Sequence, residues 1–336
     1  MSDAEQRARE RGSLVGDLEA GAGVLAAKLR SGEVLRERLE LAARLGHPEA
    51  RAVLGLPEFD ASQCDLHAFP PGARVRVLIG AARQAIGASR EAAWRDKREQ
   101  ALVVLEAWVL DPDPSRRPLV RDAVQRTRWE TEGVDAVTPV LVAASEVVQG
   151  IVGAAPLGLT QDAFEAAIRE VCAWVLGLGD PLEARAEARR VRARRAWDAR
   201  ELERCGRLLY EPLRPAQRVR WAVSILARCV EQAPEVSAVR HLLALAASPE
   251  AWGRAHTAFY SLRELTIQAL ANGGDPAYRA LLELAETTAK VVYNASDEPA
   301  PFHYHRGWRI PLRAWAFAQQ RDAAFRAGLE PLVLEP

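Results

Sequence analysis

The residues best equipped for chemistry lie in one stretch, KVVYNASDEPAPFHYHRGW, from Lys290 to Trp308. A helix is expected to stop near Asn294 and a proline-bearing loop to follow. His303-Tyr304-His305-Arg306-Gly307-Trp308 then leads into a last helix. In extended backbone, side chains two residues apart point the same way, so His303 and His305 could share a metal, with Asp297 or Glu298 as a third ligand. His-x-His alone is a weak metal signature, and no fourth ligand is evident. A loop folded over the last helix pair, its rings anchoring the C-terminus, accounts for the same residues without metal and is the preferred reading. Aromatic rings beside a guanidinium also suit recognition of another protein, which makes His303, Tyr304, His305, Arg306 and Trp308 candidate partner contacts. Asn294-Ala-Ser296 has the form of a glycosylation sequon, which carries no force in a cytosolic bacterial chain.

The second chemically distinct segment runs from Arg185 to Arg207, with nine arginines against four acids (Glu187, Asp198, Glu201, Glu203). Such a helix could follow phosphates or meet an acidic protein surface, with Arg190 and Arg194 as candidate contacts. Spacings such as Glu187–Arg190 and Arg194–Asp198 also allow pairing within the helix. A solvated helix face is therefore preferred over nucleic-acid binding.

Other chemistry is sparse. The chain has no GxxxxGK phosphate loop, GxSxG turn, HExxH helix or strand-linked GxGxxG. It has three lysines (Lys28, Lys97, Lys290), and no Glu-x-x-His pattern suggests a di-iron bundle. The four cysteines (Cys64, Cys172, Cys205, Cys229) are widely spaced and form no CxxC pair, so free thiols in a reducing cytoplasm are expected. Cys172, Trp108 and Trp174 sit in apolar segments and read as core. His241 and His256 flank the Ser248-Pro249 turn and could approach each other. No cofactor is implied.

The elements that must position these residues are helices. Alanine fills 62 of 336 positions, and arginine supplies 42 of the 45 basic residues, a bias typical of GC-rich bacterial coding. Abundant alanine with few β-branched runs favours helix throughout, and no segment alternates like a strand. A net charge of zero gives no general attraction to nucleic acid or an anionic membrane. The longest apolar stretch, Val134 to Leu159, contains Asp135, Pro139, Glu146 and Pro156, so it reads as buried helix and loop rather than a membrane span. The charged segment Ser2–Arg11 lacks the apolar core of a signal peptide, and a cytoplasmic location is expected.

Helix boundaries are marked by a capping residue before proline at His47-Pro48, Asp113-Pro114, Asp180-Pro181, Ser248-Pro249 and Asp275-Pro276. Asp or Ser accepts from the first free amides, and proline at the first helical position loses no hydrogen bond; His47 suits that role less well. Prolines 48, 114, 181 and 249 are nearly evenly spaced, and Arg74-Val-Arg76 resembles Arg218-Val-Arg220, each opening a helix. Both patterns point to repeated helical hairpins or triplets. About fourteen helices are expected, including continuous ones over 181–207 and 308–327. The fold class is all-α: layered helical repeats, as a solenoid or irregular bundle. A boundary in the Ala154–Thr160 loop would divide regions 1–153 and 160–336, unless the two pack as one continuous domain.

Residues Ser31–Gly55 (SGEVLRERLELAARLGHPEARAVLG) resemble the N-terminal unit of uncharacterised helical proteins typical of myxobacteria. The helix pairs around Ala101–Val124 resemble the repeats that follow it there. Ala289–Ser296, with Pro299–Phe302 and Gly307-Trp308, resembles a motif of small helical proteins related to predicted toxin-immunity domains. These stretches cover well under half the chain. The resemblance implies a helical-repeat protein with an immunity-like or adaptor role and transfers no catalytic residue. The expectation is a non-enzymatic scaffold that binds another protein, with metal-dependent chemistry at His303/His305 and nucleic-acid binding as alternatives.

Overall fold

The computed structural model describes residues 18–59, 65–88, 92–130, 137–151, 161–233, 236–296, 307–321 and 323–336. Among them are sixteen α-helices, three short 3-10 segments and no strand. Contacts gather the chain into two units, Met1–Arg185 and Ala186–Pro336, each with its own apolar core. The division falls inside a helix, well beyond the Ala154–Thr160 loop.

In the first unit the helices are α1 (Leu18–Ser31), α2 (Arg36–Arg44), α3 (Pro48–Leu54), α4 (Pro71–Ala88), α5 (Ala92–Leu110), α6 (Arg116–Glu130), α7 (Val137–Gln149) and α8 (Gln161–Val175). Helix α9 (Pro181–Asp198) carries the division. The second unit continues with α10 (Leu202–Tyr210), α11 (Pro215–Val230), α12 (Ser237–Ala246), α13 (Ala255–Ala271), α14 (Pro276–Asn294), α15 (Ile310–Ala318) and α16 (Ala323–Leu334).

The same five-helix arrangement occurs in both units. In α4–α8, the first helix packs on the second, fourth and fifth, the second on the third and fourth, and the third on the fourth. Helices α11–α15 repeat every one of these pairings, but there the fifth helix packs chiefly on the fourth, a pairing that α7 and α8 do not make to a comparable extent among the described residues. A preceding helix also touches the fifth in each case, α2 on α8 and α10 on α15. The Arg74/Arg218 match marks the true repeat, because it opens α4 and α11. The even proline spacing does not: Pro48 and Pro181 open α3 and α9, Pro114 precedes α6, and Pro249 opens a 3-10 segment. The repeating module is therefore five helices, larger than a hairpin or triplet.

The capping residues act as their chemistry requires. Oδ1 of Asp180 and Oδ1 of Asp275 accept from the amides of Leu182 and Ala277 at 2.8 and 3.1 Å, and Asp113 Oδ1 accepts from Ser115 at 2.8 Å. His47 caps as well, its Nδ1 accepting from the Ala50 amide at 3.4 Å. Ser248 makes no cap and bonds Glu250 instead, consistent with the 3-10 start at Pro249.

Two expected helices are broken. The 181–207 helix stops at Asp198 because Arg200 turns into the left-handed region, φ 60°. The amides of Arg200 and Glu201 then bond the carbonyls of Trp197 and Ala196, a left-handed helix stop normally made with glycine. The 308–327 helix splits into α15 and α16. These two breaks account for the rise from about fourteen to sixteen.

Candidate functional site

Of the sequence-derived candidates, His303, Tyr304, His305 and Arg306 lie outside the described residues. Trp308 is described and half-buried. Its ring meets two guanidiniums, Arg207 at 4.4 Å and Arg309 at 5.0 Å, and Glu203 pairs with both arginines. Beneath it, α10 comes so close that a Cβ on Gly206 would run into the Trp308 carbonyl oxygen, while Gly307 lies against the Tyr210 ring. Trp308 is thus packed against α10.

The arginine run is spread over two helices and largely neutralised. Arg185 pairs with Glu106 at 3.2 Å and Glu170 at 2.9 Å, and Arg190 with Glu187 at 3.1 Å. Arg194 pairs with Glu330, Arg204 with Glu201 at 2.7 Å, and Arg207 with Glu203. Arg189 is buried, and Arg200 lies 4.0 Å above the Trp315 ring. Arg192, Arg195 and Arg200 are exposed with no ion pair to a described residue. Neither Arg190 nor Arg194 is therefore an unopposed cation.

Space, not sequence, gathers the first unit's polar groups. Glu106 is fully buried in α5 and bridges Arg83, at 2.6 Å, and Arg185. Burial pushes the Arg83 guanidinium down, but the Glu106 and Glu99 carboxylates outweigh it and leave Arg83 above its ordinary value. Nearby, Arg76 holds Asp180 through two bonds of 2.6 and 2.7 Å and lies 4.0 Å over Trp174. Trp174 is thus a half-buried platform for a cation rather than simply core. A shallow, open depression lies here, lined by Arg76, Glu170, Val171, Pro181, Leu182 and Arg185. Its charges are paired with one another, although the Nε of Arg76 has no hydrogen-bond partner among the described residues.

A cysteine, a histidine and a glutamate also come together without forming a reactive site. His47 Nδ1 lies 3.0 Å from Glu49, and burial lowers its pKa against the pull of that carboxylate. Cys172 is buried beside them, its thiol donating to the Ala42 carbonyl at 3.8 Å. Burial pushes Cys172 up to about 12, and Cys205 and Cys229 equally, so all three stay protonated and inert near neutrality. Among the described residues no three or more His, Cys, Asp or Glu could hold a metal ion. His256 meets Tyr260 at 4.7 Å and Tyr293 at 5.1 Å between ring centroids.

The feature that sequence reasoning missed is the outer face of α13. Tyr260, Ile267 and Leu270 are 50%, 57% and 51% exposed. Positions 260 and 267 are two turns apart on one line, and 270 lies beside it. Phe259, Leu262, Thr266 and Ala269 turn inward. Thr257, Ser261, Arg263, Glu264 and Gln268 share the exposed side, so the three large apolar residues stand in a row set among polar ones. Helix α6 occupies the equivalent place in the first unit, and its exposed residues are Arg117, Pro118, Arg121, Asp122, Gln125 and Arg128.

No described helix is long and apolar enough to cross a membrane. No family model, curated protein or solved structure matches the chain.

Proposed function

We propose that this chain is a non-enzymatic helical scaffold of the cytoplasm that works by protein–protein contact, with the outer face of α13 as the contact surface. One observation carries the reading: an outer helix that is polar in the first unit presents Tyr260, Ile267 and Leu270 in the second. Single exposed apolar residues are ordinary, whereas a row of them at helical spacing marks a surface that another helix covers. An immunity-like or adaptor role, implied by the family resemblance, is compatible with such a surface. Nucleic-acid binding draws no support from an arginine run so largely paired with acids.

The test is capture from the native lysate by wild type and by Ile267→Arg, with circular dichroism confirming that the variant folds. The reading expects a bound protein, a second copy included, that the variant loses. A folded variant that retains every interaction overturns it.

A further inference from the structure

The geometry points to a second copy of this chain as the occupant of the α13 face, the two helices lying parallel about a two-fold axis. This rests on the protein-contact reading above and names the partner. On the helical wheel, Arg263 and Glu264 flank the Tyr260–Ile267 line on opposite sides, at nearly the same height. Both are exposed. Arg263 has no ion pair to a described residue, and Glu264 meets only the Gln268 amide at 3.4 Å. Two charges of opposite sign therefore border an apolar line without using each other.

Symmetry decides what they can meet. A two-fold axis parallel to the helices brings the left flank of one copy against the right flank of the other. Arg263 then faces the second copy's Glu264, and Glu264 its Arg263. Tyr260 and Ile267 meet their own counterparts on the line, and Leu270 falls over the second copy's Ala271. An antiparallel pair centred on the same residues sets Glu264 against Glu264 and Arg263 against Arg263, which like-charge repulsion disfavours. A formal net charge of zero leaves no overall repulsion between copies. The row is short of the roughly 800 Å² per partner of a standard interface, so the pairing depends on concentration, with a dissociation constant of order 10 µM.

Sedimentation equilibrium of the purified full chain, from about 1 to about 500 µM, tests this. Wild type should dimerise, and Ile267→Arg should weaken the dimer about a hundredfold by burying a charge on the line. Arg263→Glu should weaken it about tenfold, and Arg263→Glu/Glu264→Arg should restore it. Under mild oxidation Tyr260→Cys and Ile267→Cys should each cross-link the copies, since a parallel pair brings both positions against themselves, whereas an antiparallel pair can do so near one of them only. A wild type that stays monomeric overturns the proposal, as does a dimer that neither cross-links at both positions nor responds to the charge swap. If wild type stays monomeric while Ile267→Arg still loses a different protein from the lysate, the second copy is excluded and the contact surface stands. If the variant changes neither, both fall.

Discussion

The two units share one helix arrangement and differ in how they satisfy and expose it. At the opening of α4 the buried arginine is Arg76, held by Asp180 and stacked on Trp174. At the opening of α11 it is Arg218, which stacks on Tyr210 at 4.3 Å and donates to the Glu211 carbonyl at 3.0 Å. Aligning the openings places Arg218 opposite Arg74, not Arg76, so the buried guanidinium has moved by two positions. The module thus requires an aromatic face and an acceptor for a buried cation, without fixing which residue supplies the cation. Surfaces have diverged further, as α6 and α13 show.

The sharpest way to break the likeness is through the close approaches. Gly80 on α4 touches α8, where an added Cβ would come 2.9 Å from the Ala167 methyl; Gly206 on α10 meets the Trp308 backbone. Gly206→Ala should cost about 3 kcal/mol or more, because a carbonyl cannot be repacked. Gly80→Ala should cost less, about 1–2 kcal/mol, because the Ala167 Cβ and Cα can yield only by a shift of α8, while alanine's helix propensity offsets part of the crowding. Urea unfolding of the two variants checks the contrast.

The arginine locks should differ next. Asp180→Asn leaves Arg76 buried beside a neutral amide and should cost about 2–3 kcal/mol. Glu211→Gln should cost about 1 kcal/mol or less, because the Glu211 carbonyl remains as acceptor. The Arg76 bonds hold Asp180 below the usual carboxylate range in spite of burial, which pushes the other way. Its contribution is therefore complete above the unfolded-state value and disappears as pH falls through the lowered folded value. Urea midpoints measured from neutral to acid pH should lose this part of their slope in Asp180→Asn.

The smallest effect concerns helix stops. Gly177, φ 71°, ends α8 with the bond pattern that Arg200 uses after α9. Arg200→Gly should shift stability by no more than about 0.5 kcal/mol, as relief of the left-handed backbone offsets the lost stacking on Trp315. Arg200→Ala keeps the strain, loses the stacking and should cost about 1 kcal/mol. Thermal unfolding of the pair separates the two terms.

Much of the helix pattern was legible because its causes are local. Asp113, Asp180 and Asp275 announce their caps, and alanine-rich segments between them can do little but coil. The α9 break was not legible, since no glycine or proline lies between Ala196 and Glu203 and the stabilising partner, Trp315, is distant in sequence. The candidate surface was hidden for a related reason. Thr257, Ser261, Arg263, Glu264 and Gln268 mark the outer side of residues 255–271, but Tyr260, Ile267 and Leu270 read as core residues until α12 and α14 are seen to cover the opposite side.

By itself, then, the sequence determined an all-helical chain, most of its helix starts and the opening of each repeated module, all through interactions spanning a few residues. Tertiary structure decided which arginines are neutralised, which aromatic rings carry cations and which apolar row is left in water. Those outcomes depend on residues such as Arg76 and Asp180, or Arg194 and Glu330, that meet only when distant helices pack.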